Sequence, residues 1–149
     1  MIAPESPAPT DSPVLLDTDV FSSLLFGGPD ATWYDTAVAG REMLLSAFSH
    51  GEVLAGAAMR EWGPRRMDEL EGLLGRMVLL EVTEDVVRSY ASVRAEAKRI
   101  GHPLHGPSQL IDRWIAATAL AYQVPLLTGN RKHFDGFPGL ELVEVRAAP

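Results

Sequence analysis

Residues 14–19 read Val14-Leu15-Leu16-Asp17-Thr18-Asp19. A short, unbroken apolar run followed at once by acids has the pattern of a strand buried on both faces, with polar groups emerging at its end. Met43 to Ser46, Met77 to Leu80 and Val124 to Leu127 repeat the pattern, and a weaker run from Leu140 to Val145 is expected to add an edge strand. Helical patterns lie between them. Asp19 to Phe26 stops at Gly27-Gly28-Pro29, Ala31 to Ala39 ends at Gly40, and Ser49 to Trp62 closes at Gly63-Pro64. Pro64 suits the first position of a helix reaching Leu74. Thr83 caps a long helix to about Ile100, on which Val86, Val87, Tyr90, Val93 and Ala97 recur at helical spacing, and another helix covers roughly Ser108 to Tyr122. Short apolar strands alternating with helices predict an α/β fold with a central, mostly parallel sheet of four to five strands flanked by helices. Ligands of such sheets gather beyond the carboxyl ends of the strands, where Asp17 and Asn130 fall.

A chain of 149 residues is one domain of ordinary size, expected over residues 14–146. Residues 1–13 carry three prolines before Pro13 and no Lys or Arg, so they read as a loose tail without the charged start of a signal peptide. No apolar stretch reaches the length of a membrane span, because Asp17 and Glu81 interrupt the runs. The chain has no cysteine, which removes disulfides and thiolate metal sites, and the cytoplasm is the expected location. A net charge of −7 argues against a protein that coats polyanions broadly. It leaves room for a local basic patch, and Arg60, Arg65 and Arg66, then Lys98 and Arg99 near His102 and His105, then Arg131, Lys132 and His133 are clustered. Each cluster also suits a solvated helix end. His102 and His105 sit in a Pro/Gly-rich stretch that reads as a flexible connector rather than a zinc site. Trp33, Tyr34 and Trp62 read as core or interface hydrophobes.

Four acidic or amide side chains carry the chemistry: Asp17, Glu52, Asp112 and Asn130. Asp112 shares a helix face with Ala116 and Ala119, a small apolar face suited to lying close against a sheet. A carboxylate on the rim of that face loses solvation unless something pairs with it. Glu52 completes Ser49-His50-Gly51-Glu52, which has the pattern of a capping box. The same placement also puts it beside Asp17, after the strand ending at Ser46. Thr18 or Asp19 can cap the helix that follows the first strand, leaving Asp17 free. Gly129-Asn130 is equally a turn pattern. Carboxylates gathered together repel one another and drive a pKa upward unless a cation sits among them. Mg²⁺ or Mn²⁺, which prefer hard oxygen ligands, are the simplest candidates.

These residues resemble the PIN-domain family, and within it the VapC-type toxins of bacterial toxin–antitoxin pairs. The resemblance rests on Leu15-Leu16-Asp17-Thr18-Asp19-Val20, on Ser46 through Leu54, on Ile111 through Leu120, and on Val124 through Phe134, with Pro138-Gly139-Leu140-Glu141-Leu142 closing the domain. It implies a single PIN-like domain acting on RNA as a Mg²⁺- or Mn²⁺-dependent endoribonuclease. Asp17, Glu52 and Asp112 would be its acidic ligands, and Thr128 would order the pocket by hydrogen bonding. A homodimer and a cognate antitoxin that covers the site are also implied. Asn130 stands where the family's fourth acid falls and brings an oxygen without charge. Asp19 is an auxiliary candidate, and Arg131 and Lys132 are placed to meet an RNA phosphate.

Two other readings of the same residues are open. Asp17-Thr18-Asp19 imitates the Asp-x-Asp motif of haloacid-dehalogenase-like phosphatases, with Asp17 as nucleophile and Thr128 as the second motif. Against it, Phe21 replaces the expected Thr or Val, and the 21 residues after Thr128 hold no later acidic pair for Mg²⁺. A PIN-like module that binds without cleaving would make Asn130 a symptom of decay, although Asp17, Glu52 and Asp112 are all intact.

Overall fold

The computed structural model describes residues 12–145. The expected tail therefore lies outside the described residues except for Ser12 and Pro13, as does the expected domain end at residue 146. Four strands form one parallel sheet: β1 (Val14–Leu16), β2 (Met43–Ser46), β3 (Val78–Leu80) and β4 (Leu126–Leu127), in the order β3-β2-β1-β4. Leu15 pairs with Leu44 on one side and Leu126 on the other, so β1 is central. Among the described residues, seven helices connect and cover the strands: α1 (Thr18–Phe26), α2 (Ala31–Val38), α3 (Ala47–Met59), α4 (Pro64–Leu74), α5 (Glu84–Ile100), α6 (Leu110–Tyr122) and α7 (Arg131–Phe134).

The central strand reads as unbroken apolar sequence because both of its faces are covered. Leu15 and Leu126 pack with Val93, Ala97, Ile115 and Ala116 beneath α5 and α6. Val14, Leu16 and Leu127 pack with Val20, Phe21, Ala57 and Leu70 beneath α1, α3 and α4. Edge strand β3 differs, leaving Val78 and Leu79 exposed. Because all strands run the same way, the ends of β1, β2 and β4 open on one rim. The backbone N–H of Asp17 donates to the Leu127 carbonyl (2.9 Å), carrying the pairing of β1 with β4 one residue past the strand.

Several boundaries depart from the sequence expectation. Helix α3 begins at Ala47 because Ser46, not Ser49, is its N-cap, its hydroxyl accepting from Ser49 N–H at 3.1 Å. Glu52 is thus in the helix body and makes no capping box, and Trp62 lies beyond the helix. The stretch 140–145 contributes a single parallel bridge, Leu142 to Leu126, rather than a strand. Val87 falls off the buried stripe of α5 and is exposed. The connector after α5 is anchored, not loose: it contains a 3-10 turn, Pro103–His105, with Leu104 fully buried. His102 Nδ1 accepts from Leu104 N–H (3.1 Å), and its Nε2 lies 2.7 Å from the Asp135 carbonyl. Both ring nitrogens are therefore engaged within the protein.

Ala116 is fully buried and Ala119 is 1 % exposed on the face of α6 that meets the sheet. Ala116→Leu is expected to overpack this contact and cost about 1–3 kcal/mol, measured as a lower urea midpoint.

Candidate metal centre

The starts of α1, α3 and α6 and one post-strand turn converge on the rim. Asp17 is the N-cap of α1, with Thr18 N–H donating to its Oδ1 at 2.7 Å. The expectation that Asp17 would be spared capping is therefore incorrect. Its second oxygen, Oδ2, accepts from the Thr128 hydroxyl at 2.7 Å, a bond between residues far apart in sequence. Thr128 is itself buried and also accepts from Asn130 N–H (3.0 Å), so the turn after β4 is built around this hydroxyl. On the other side, Thr18 donates to Ser49 Oγ at 2.9 Å, and Ser46 and Ser49 lie hydroxyl to hydroxyl at 3.3 Å. This buried hydroxyl chain ties the start of α3 to the start of α1 and sets Glu52 beside the acids.

Asp17, Asp19, Glu52, Asp112 and Asn130 all line one concavity of about 430 Å³, together with Thr18, Ser22, Ser108 and Ile111. Every candidate ligand from the sequence is thus at the same place, and Thr128 stands behind Asp17. They differ in depth. Asp17 is 4 % exposed, Asp112 is half-buried, and Glu52 and Asn130 are exposed on the rim. Among the described residues, no three His, Asp or Glu side chains are drawn together into a ready-made ligand cage.

Asp19 is more committed than an auxiliary role suggested. Its Oδ1 accepts from Val20 N–H (2.8 Å), and its Oδ2 accepts from Gly129 N–H (3.0 Å) and, more weakly, from the Asn130 amide (3.4 Å). Gly129 allows this close approach: a Cβ there would lie 2.5 Å from Asp19 Oδ2 and 2.6 Å from the Tyr34 hydroxyl. Two further participants escaped the sequence reading. Tyr34 is buried near Asp19, and His133 Nδ1 lies 2.9 Å from Asp112 Oδ2. No periodicity marks either; His133 had been grouped with its basic neighbours. Arg131 turns inward, donating to the Val143 carbonyl (3.0 Å) and to Glu144 (3.2 Å), so it is a structural clamp rather than a free phosphate contact. Lys132 is exposed.

The electrostatics follow from this packing. Asp17 is raised to about 7, chiefly by burial and then by the charge of Asp19, with Asp112 adding to it. Hydrogen bonds from Thr128 and Thr18 pull in the opposite direction without cancelling the rise. Asp19 is raised mainly by burial, opposed by the Val20 and Gly129 N–H groups. Burial and then the Asp19 charge raise the Tyr34 hydroxyl. No Lys or Arg lines the concavity. Recessed carboxylates with hard oxygens and no cationic side chain among them fit a divalent ion that keeps part of its water shell.

Comparison with known proteins agrees with this fold. The PIN domain family profile matches residues 14–139. The chain is 31% identical over 129 residues to Ribonuclease VapC19 of Mycobacterium tuberculosis, covering 85% of this chain and 96% of that protein. Among solved structures, VapBC2 from Rickettsia felis, crystallised bound to a DNA fragment from their promoter, aligns with a TM-score of 0.73 at 21% identity, over 87% of this chain and 96% of that one. FitAcB from Neisseria gonorrhoeae aligns with a TM-score of 0.69 at 25% identity, over 88% and 96% of the two chains.

A raised pKa in the folded state means that, between about 4 and 7, the folded protein binds more protons than the unfolded chain. Without divalent metal, stability should fall as pH rises through that window. Asp17→Asn should flatten the slope, as read from melting temperatures in EDTA between pH 5 and pH 8.

Proposed function

Because the chain belongs to the PIN domain family, we propose that it is a metal-dependent endoribonuclease, the toxin of a type II toxin–antitoxin pair. The observation that carries this reading is the recessed Asp17 carboxylate, which shares one concavity with Asp19, Asp112 and Glu52 and, among the described residues, with no Lys or Arg. The relative named as a ribonuclease supports RNA as the substrate.

Asp17 and Asp112 would hold a Mg²⁺ or Mn²⁺ ion, with Glu52 adding a carboxylate from the rim and Asn130 an uncharged oxygen. Such an ion, when bound, polarises the scissile phosphate and lowers the pKa of an attacking water. The protein's own residues prepare for it. Thr128 and Thr18 each fix one oxygen of Asp17, which keeps the carboxylate from rotating as the substrate arrives. The Ser46–Ser49–Thr18 chain holds α3 against α1, so that Glu52 stays at the rim.

An antitoxin partner belongs to the same reading. A narrow groove between α1 and α3, lined by Phe21, Leu25, Val53 and Trp62, runs into the acidic concavity through Thr18, Ser22 and Glu52. A segment lying in it would cover the site.

Purified, antitoxin-free protein should cleave total RNA with Mg²⁺ or Mn²⁺ and not with EDTA. Asp17→Asn and Asp112→Asn should each lower the rate by at least about 100-fold, the loss expected when several kcal/mol of metal-derived stabilisation disappear. Intact RNA after incubation with the folded, metal-loaded protein would favour the binding-module reading.

A further inference from the structure

The chain after β4 supplies a hydrogen-bond donor to each recessed acid in turn. Thr128 serves Asp17, Gly129 and Asn130 serve Asp19, and His133 serves Asp112. Glu52, on the exposed rim, has no such donor among the described residues. The first two donors come from the turn itself. The third comes from α7, a single short helix whose placement needs its own explanation.

Helix α7 is held at several points. Phe134 is 1 % exposed in the core cluster beneath α5 and α6. Arg131 clamps the other side of the helix to the Val143 carbonyl, and His102 reaches the Asp135 carbonyl at 2.7 Å. His133 N–H donates to the Asn130 carbonyl at 2.9 Å. His133 is therefore aimed by its neighbours rather than by its own flexibility. Its Nδ1 lies 2.9 Å from Asp112 Oδ2, and both side chains are mostly shielded, at 28% and 20% exposure. A carboxylate can only accept, so the hydrogen between them is carried by Nδ1 whether the ring is neutral or protonated. Among the described residues Asp112 has no other side-chain hydrogen bond. Without His133 its carboxylate would be free to turn on the helix.

We propose that His133 is a positioning residue that fixes the Asp112 carboxylate through Oδ2, holding it in the orientation in which it would meet the divalent ion. This rests on the metal-dependent reading of the site. Partners that orient a ligand in this way set metal affinity as well as activity, and removing one typically costs 10–100-fold. The donor is what matters, so another side chain with an N–H at that reach should serve in its place.

The test is Mn²⁺ binding by the full chain, followed by calorimetry or by the paramagnetic resonance of free Mn²⁺, in the wild type, His133→Ala and His133→Asn. His133→Ala should bind Mn²⁺ about 10–100-fold more weakly. His133→Asn, which keeps an N–H donor, should recover most of that loss, and it also guards against a His133→Ala protein that does not fold. Wild-type affinity in His133→Ala would overturn the inference while leaving the metal site standing. A His133→Asn protein as weak as His133→Ala would overturn it too, since packing rather than the donor would then be responsible. No Mn²⁺ binding by the wild type would overturn the metal-dependent reading and this inference together.

Discussion

A carboxylate taken out of water at the end of the central strand is the constraint around which this molecule is arranged. Asp17 cannot avoid burial, because β1 is covered on both faces and α1 starts at the next residue. Desolvation disfavours its charge, and nearby Asp19 and Asp112 disfavour it further. The fold answers with two hydrogen bonds, one from the first turn of α1 and one from Thr128, and these do not restore an ordinary pKa. What remains is an unbalanced site that gains from a cation. A protein selected only for stability would replace Asp17 with an apolar residue or pair it with Arg.

The chain after β4 converts that imbalance into an oriented site. Within a few residues, Thr128, Gly129, Asn130 and His133 present donors to three acids that arrive from two other elements. Parallel topology makes this possible, since β1 and β4 are neighbours and end on the same rim. Gly129 is needed because Asp19 and the Tyr34 hydroxyl come too close for any side chain there. Arg131 and Phe134 then lock the segment to the body of the domain. The acids are met by backbone, hydroxyl, amide and imidazole groups and, among the described residues, by no Lys or Arg.

Much of this was legible before any coordinates. Unbroken apolar runs such as Val14 to Leu16 identify buried parallel strands, and acids directly after them identify the rim. That logic, together with the family resemblance, singles out Asp17, Glu52, Asp112, Asn130 and Thr128, and the structure brings the first four to one concavity with Thr128 bonded to Asp17. The parts that were not legible depend on contacts distant in sequence. Ser46 displaced Ser49 as the cap of α3 because the strand-to-helix junction is tighter than the local pattern implies. His102 looked like part of a loose Pro/Gly connector, yet tertiary bonds to Asp135 and Leu104 anchor it. His133 and Arg131 read as members of a basic cluster, open to a phosphate or to solvent, and only the packing of α7 reveals that one faces Asp112 and the other the Val143 carbonyl.

The central claim is that the recessed acids form a divalent-metal site for RNA cleavage. Anomalous diffraction from crystals soaked in Mn²⁺ near pH 8 addresses it most directly. The account predicts a peak in the concavity at bonding distance, about 2.0–2.2 Å, from Asp17 and Asp112, with Thr128 still bonded to Asp17. A protein that cleaves RNA with Mn²⁺ but shows no peak there, or binds the ion only elsewhere, would contradict it.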